Sequence, residues 1–405
     1  MKEITFIHGA DLHLDSPMAG LTHLPPSVFK RVRESTFTAL TNLTNLAIEK
    51  KVDFVLLAGD LYDEENRSVR AQFRLKQEME RLAKHQIAVY LIHGNHDHLQ
   101  GTWAHLDMPE NVQIFAEEVE KKLFQKNGVI TNIYGFSYKE RHIFARKIDD
   151  YNRKGEADFH IGLLHGYLEG AGDHGKYAPF RVSDLMEKHF DYWALGHIHK
   201  REILSERPPI VYSGNTQGRS LKETGRKGCY YVRLNEAGCE LTFSETADII
   251  WLEHAIDAGN ATSFQDVLLL CQKTIKELHN HKQAIFAALT INNVSLPKQD
   301  MEILRNGELI GILQEAEQYE RDFVWPVQIK VNQQIQWDKD VLRRESEFYD
   351  VLFNVAAQTD HFTKISGMLE QQLAARHLFD PLSEEEKQML VQESEQLLLR
   401  LLQEK

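Results

Sequence analysis

The chain has 405 residues, more than one hydrophobic core usually supports, so two or three domains are expected. Its 42% hydrophobic and 26% charged residues are ordinary for a globular protein, and a net charge of -13 excludes broad attraction to nucleic acid, leaving only local basic patches for such contacts. Three cysteines without CxxC spacing exclude a disulfide framework and a zinc ribbon, while the lack of a signal-peptide start or of about 18 consecutive apolar residues argues for a cytoplasmic address and no membrane partner.

Short apolar or β-branched runs at 4–8, 53–58, 87–92, 159–164 and 192–196 read as buried strands, each leading into a glycine-containing turn. Helical spacing occupies 27–50, entered through Pro25, Pro26 and Ser27, and 67–84, with Val69, Phe73, Met79 and Leu82 near one face. Strands alternating with helices imply an α/β sheet, in which ligands gather beyond the carboxyl ends of the strands. Residues 228–246 read as a hairpin turning between Asn235 and Gly238, closing a first domain of residues 1–247. A small α+β domain follows over 248–335: strand 249–256, helix 263–278 capped by Ser263, strand 284–294, helix 299–320 and strand 324–332. Residues 336–405 read as helical, and 383–404 open with Ser383 and Glu386 in capping-box spacing before Leu390, Leu397 and Leu401 mark an apolar face.

The strings GADLH, GDLYD, GNHD, LLHG and GHIH follow in that order, each just after a strand-like run. They offer Asp11, His13, Asp60, Asn95, His165, His197 and His199 as ligands, with His96 left over as an acid. Two divalent metals a few ångströms apart can bridge a hydroxide, hold a phosphate's non-bridging oxygens and stabilise the leaving oxygen of an in-line displacement. Asp60 is the best bridging candidate, since a carboxylate presents two oxygens and Gly59 lets the backbone approach. Imidazoles mixed with carboxylates and an amide suit Mn²⁺, Fe²⁺ or Zn²⁺ better than Mg²⁺ or Ca²⁺, with manganese the first expectation. Three basic groups, Arg67/Arg70/Arg74, Lys200/Arg201 and Arg219/Lys222/Arg226/Lys227, are either DNA contacts or solvated faces. Tyr177 and Phe180 either stack on a base or pack on the sheet, and His8 and His93 are expected to be bystanders.

These strings resemble the signature of the calcineurin-like metallophosphoesterase superfamily, and GDLYD, GNHD and the C-terminal extension resemble its DNA-repair exonuclease branch, of SbcD and YhaO type. The resemblance implies an α/β metallophosphoesterase sandwich carrying a small α+β cap domain and a helical C-terminal region. It implies Asp11, His13, Asp60 and His199 around one metal, and Asp60, Asn95, His165 and His197 around the other. His96 would then sit beside the scissile phosphate, oriented by Asp63. The loop from Tyr212 to Asn215 resembles one that meets the substrate backbone, the alternative being a strand-ending turn; Tyr212, Asn215 and Arg219 are the substrate-binding candidates.

The activity so implied is that of a two-metal hydrolase using Mn²⁺, or Fe²⁺ or Co²⁺: a 3′ to 5′ exodeoxyribonuclease in DNA repair, attacking phosphodiesters in line with a metal-bridging hydroxide. The implied partners are DNA, an SMC-like coiled-coil ATPase held by the C-terminal helices, and a second copy of the chain. The rival readings are a small-molecule or nucleotide phosphodiesterase, and a non-catalytic DNA-end or ATPase-docking scaffold. A protein-phosphatase reading is disfavoured because Glu64 and Glu65 follow Asp63, and Asp97 follows the GNH string.

Overall fold

Continuous apolar runs produce strands buried on both faces, and two such sets stack face to face. The computed structural model describes residues 2–18, 21, 24–63, 68–100, 106–170, 177–317, 321–333, 342–344, 346–356, 386, 388–391, 394 and 398. The first sheet contains β1 (Glu3–Gly9), β2 (Phe54–Ala58), β3 (Ala88–Ile92), β4 (Val112–Ile114), β11 (Gly228–Asn235) and β12 (Gly238–Glu245), in the order β12-β11-β1-β2-β3-β4. The second contains β5 (Glu120–Lys126), β6 (Val129–Gly135), β7 (Phe159–His165), β8 (Tyr192–Gly196), β9 (Glu202–Glu206) and β10 (Pro209–Tyr212), in the order β5-β6-β7-β8-β10-β9. Within the first sheet β1 to β4 run parallel, and within the second β6, β7, β8 and β10 do. The fold is the expected α/β sandwich.

Ile4, Phe6, Phe54 and Leu56 of one sheet and Ile161, Leu163, Tyr192 and Ala194 of the other form the core between the sheets. The far face of the first sheet packs beneath α1 (Pro26–Lys50) and α2 (Val69–Lys84) through Leu40, Leu43, Leu75 and Met79. α1 starts one residue before the expected Ser27: Pro25 is the N-cap and Pro26 is the first helical residue, where a missing N–H costs nothing. In α2 the Ser68 hydroxyl accepts from Ala71 N at 3.0 Å. The outer face of the second sheet carries an aromatic cluster of Tyr138, Tyr151, Phe190 and Trp193, with Leu185 from α3 (Val182–Glu187).

A third sheet, in the order β13 (Ile249–Asp257), β14 (Ala284–Val294) and β15 (Val324–Gln333), is wholly parallel, because each return passes through helices. α4 (Phe264–Leu278), capped by Ser263 as expected, provides the first return. The single helix expected over 299–320 is instead α5 (Lys298–Arg305) and α6 (Glu308–Ala316). Gly307 at φ 86 breaks it, and Asn306 Oδ1 accepts from Glu308 N at 2.9 Å to restart the chain. α4 to α6 cover one face of this sheet through Val267, Cys271, Leu304 and Leu313. Trp251, Phe286 and Trp325 on the other face pack on Val28 and Val32 of α1.

Compactness divides the chain into residues 1–333 and residues 334–405. In the second unit α7 (Glu347–Ala356) buries Phe353 beside Leu342, whereas Phe348, Val351 and Val355 are about half exposed. The helix expected over 383–404 lies largely outside the described residues, as do Arg67 and the Glu64-Glu65 pair.

Candidate metal centre

The loops that leave the parallel strands converge between the two sheets. After β1 the chain runs alongside the loop after β2: Asp11 N donates to Gly59 O, His13 N to Asp60 O and Leu14 N to Leu61 O, each at 3.0 Å. This pairing forces Asp11 (φ 51), His13 (φ 41) and Asp60 (φ 51) into the left-handed region, and His197 after β8 also has positive φ, 100. Such conformations cost about 1–3 kcal/mol each and persist where surrounding structure imposes them. Four of the seven ligand candidates carry that strain.

Asp60 Oδ2 stands between the two halves of the cluster, 3.7 Å from His13 Nε2 and 3.4 Å from His165 Nε2. On one side His13 Nε2 and His199 Nε2 are 3.1 Å apart, and Asp11, His13, Asp60 and His199 together could hold an ion. On the other, Asn95 Oδ1 lies 3.1 Å from both His165 Nε2 and His197 Nδ1, and Asp60, His165 and His197 form a second such group. Asp11 accepts from His197 N through Oδ1 at 3.0 Å and Oδ2 at 3.2 Å, joining the two sides. The structure thus brings all seven ligand candidates together.

The comparisons with known proteins agree with this geometry. The metallophosphoesterase YhaO of Bacillus subtilis is 39% identical over 407 residues, spanning 99% of this chain and 98% of that one. Residues 4–201 match the family model of the calcineurin-like phosphoesterases. The chain belongs to that family. More distant are the DNA double-strand break repair proteins Mre11 of Methanosarcina acetivorans, 24% identical over 78% of this chain, and of Methanocaldococcus jannaschii, 26% identical over 60%. The chain spans 51% of the Methanosarcina protein's length and 66% of the Methanocaldococcus one. This phosphoesterase is therefore a hydrolase of phosphoester bonds, similar to the DNA-repair nuclease branch.

The residues present fit divalent metal ions. Two imidazole Nε2 atoms at 3.1 Å can be satisfied together by a shared cation, but not if both carry a proton. Burial holds His13 far below the ordinary imidazole range and His197 down to about 3, so both stay neutral and able to ligate. Burial also opposes a charge on His165, yet the adjacent Asp60 carboxylate outweighs it and lifts His165 to about 9: positive charge is favoured where that nitrogen points. A Cβ at Gly94 would collide with Asp60 Oδ1 and the His165 ring, and one at Gly59 (φ 90) with the same ring. Both glycines leave room for the carboxylate and imidazole rather than serving as turns alone.

The phosphoesterase places His96 next to this cluster, with its backbone N donating to Asp60 Oδ1 at 3.0 Å. Its Nδ1 faces Asp63 Oδ1 at 3.5 Å, an ion-pair distance longer than a hydrogen bond. Burial disfavours the imidazolium, but Asp63 and Asp60 outweigh it and raise His96 above the ordinary range. Asp63 is fixed from its other oxygen by Ser16 Oγ at 2.6 Å and faces Arg219 Nη1 at 3.4 Å.

Two supporting residues escaped sequence reasoning. Glu223 Oε1 lies 2.7 Å from His199 Nδ1, which directs the other ring nitrogen into the cluster, and it also pairs with Arg219 Nη2 at 3.1 Å. Burial would raise Glu223, but the His199 and Arg219 contacts hold it well below the carboxylate range. Asp97 is fully buried and accepts from Gly94 N at 2.6 Å and Leu61 N at 2.9 Å, so it pins the GNHD loop to the GDLYD loop.

The substrate-binding expectations divide. Tyr212 and Asn215 are buried: the Tyr212 hydroxyl donates to Gly166 O at 2.7 Å, and Asn215 Nδ2 donates to Gln217 O and Glu223 Oε2, each at 2.8 Å. Tyr212 is taken up by the strand-ending turn, whereas Asn215 also lines a cavity beside His199. Arg219 keeps a partly exposed guanidinium beside His199 and Asp63, where an anion could meet it. Phe180 is fully buried in the aromatic cluster, whereas Tyr177 lies at the site with its ring 5.2 Å from that of His197. Arg70 and Arg74, read from sequence as either DNA contacts or a solvated face, pair with Glu34 and lie over the Phe37 ring.

Proposed function

We propose that this phosphoesterase is a two-metal DNA nuclease, a 3′ to 5′ exonuclease of DNA repair in the cytoplasm. The observation that carries the two-metal reading is the position of Asp60 Oδ2, within reach of both His13 and His165. Asp11, His13, Asp60 and His199 would hold one ion, and Asp60, Asn95, His165 and His197 the other. The donor set favours Mn²⁺, with Fe²⁺ or Co²⁺ as substitutes. When bound, the ions supply charge for the phosphate oxygens and activate the attacking water.

The chain's own residues do the rest. His96, held by Asp63, donates a proton from Nε2 to the leaving oxygen, a role suited to an imidazole whose charged form is favoured. Arg219 neutralises a non-bridging oxygen. The cavity beside His199, of about 250 Å³, is lined by Lys200, Arg201, Arg226 and Lys227; Arg226 pairs with Glu245 and Lys227 donates to His199 O, so Lys200 and Arg201 carry most of the local positive charge on a chain of net charge -13. That contrast, and the similarity to the Mre11 proteins, favour a polyanionic strand over a small diester. The sheet and helices of residues 248–335 serve as the cap that positions the strand. The half-exposed Phe348, Val351 and Val355 on α7 support docking of an SMC-like coiled-coil ATPase on residues 336–405. Among the described residues no helix is long and apolar enough to cross a membrane.

The test is product analysis with Mn²⁺ on single-stranded and duplex DNA labelled at either end, alongside bis-p-nitrophenyl phosphate. Stepwise loss from the 3′ end is expected. Hydrolysis of the small diester with both DNAs intact would select the small-molecule reading.

A further inference from the structure

A row of rings leads out of the metal centre. Tyr177 meets the candidate ligand His197 at a centroid distance of 5.2 Å. His142 stacks on Tyr177 at 5.4 Å with 20° between planes, and Phe144 stacks on His142 at 6.0 Å with 5° between planes. Phe144 ends the row and is 68% exposed. A single exposed phenylalanine is ordinary. One held parallel to two further rings that reach a metal ligand is a different feature.

Backbone contacts fix the row in place. Ala178 N donates to Ile143 O at 2.6 Å, and Tyr167 N to Tyr177 O at 2.9 Å, so the two loops that carry the rings are tied to each other and to the end of β7. Ile143, between the two outer rings in sequence, packs on the buried aromatic cluster of the second sheet. Phe144 thus presents its free side with its backbone already ordered, which removes much of the entropy cost of receiving a planar ligand.

We propose that Phe144 and His142 form a stacking platform for a nucleobase of the strand whose phosphate lies at the metal centre. Every base has a π-face, so the platform grips nucleic acid without reading its sequence. Three ring contacts of 5.2, 5.4 and 6.0 Å separate His197 from Phe144, so the base belongs to a nucleotide removed along the strand from the one attacked. This inference rests on the nuclease reading and adds the means by which a nucleic acid is told from other phosphodiesters.

The test uses the full chain with Mn²⁺ and a panel of oligonucleotides, each abasic at one successive position from the cleaved end. The wild-type chain is expected to lose about 5- to 100-fold in kcat/KM at one position of the panel, the span that base–aromatic stacking supports. Phe144→Ala should cut the intact strand as poorly as wild type cuts that abasic one, and should be indifferent to abasic position. Phe144→Trp should restore the discrimination, and Phe144→Leu, of similar bulk but without a π-face, should not. A wild-type chain that leaves the intact strand uncut overturns the nuclease reading and this inference together. A cutting wild type with Phe144→Ala unchanged, or with Leu as effective as Trp, overturns the platform alone.

Discussion

At the scale of single residues, the centre is assembled by backbone strain and carboxylate placement. Asp60 has two tasks, facing both halves of the cluster with its side chain and accepting His13 N with its carbonyl. His96 has one, since its Nδ1 turns to Asp63 and leaves Nε2 for a proton donor's work. Asp60→Ala should therefore lose both bound metal and turnover, whereas His96→Ala should keep the metal and lose about 10²- to 10⁴-fold in rate. Elemental analysis beside steady-state turnover checks the pair, and a near-normal rate in His96→Ala would remove this residue from the chemistry. Glu223→Gln is expected to weaken metal binding about 10- to 100-fold without unfolding the chain, because it loosens the ring orientation of His199. Metal titration followed by circular dichroism reads both effects. The ligand candidates were legible because each falls in a short string that contains a glycine. Glu223 was not, because the His199 it orients lies in a separate loop and no ligand spacing announces it.

At the scale of elements, legibility followed local pattern: apolar runs before glycine turns, and a hairpin turn. Among the sandwich strands, β1, β2, β3, β7 and β8 show as apolar runs and β11 and β12 as a hairpin, whereas β5 and β9 are charged edge strands with exposed residues. Such edges carry little apolar signal because their outer sides meet water. The two sheets are also joined by His8 of β1, whose Nδ1 lies 2.9 Å from the Tyr192 hydroxyl on β8 and whose Nε2 lies 3.2 Å from Leu195 O. Burial lowers His8 from 6.5 to about 3. Below about pH 6.5 the unfolded chain binds a proton that the fold refuses, so stability falls with pH down to about 3. His8→Phe should flatten the stability profile between about pH 6 and 4 by about 1.4 kcal/mol per pH unit relative to wild type. Urea unfolding at successive pH values measures the difference, and parallel profiles would show that His8 does not report on the joint.

At the scale of the whole molecule, the boundary of residues 1–333 encloses both sandwich sheets and the third sheet that packs on α1. The third sheet was visible in sequence as alternating strands and helices. Its seat on α1 was not, because Val28 and Val32 read equally well as an ordinary helical core stripe. Removing residues 334–405 should leave Mn²⁺-dependent hydrolysis of bis-p-nitrophenyl phosphate intact while abolishing co-purification with a coiled-coil ATPase. ATPase binding retained by the shortened chain would place docking on residues 1–333.

The most direct measurement is the return of activity to the chelator-stripped full chain as Mn²⁺ is titrated back, read as cleavage of an end-labelled DNA strand with bound metal counted in the same samples. Seven convergent ligand candidates, with Asp60 facing both halves of the cluster, predict no cleavage in the stripped chain and full recovery as two equivalents bind. Cleavage that survives stripping, or that is complete with a single bound ion, would contradict the account.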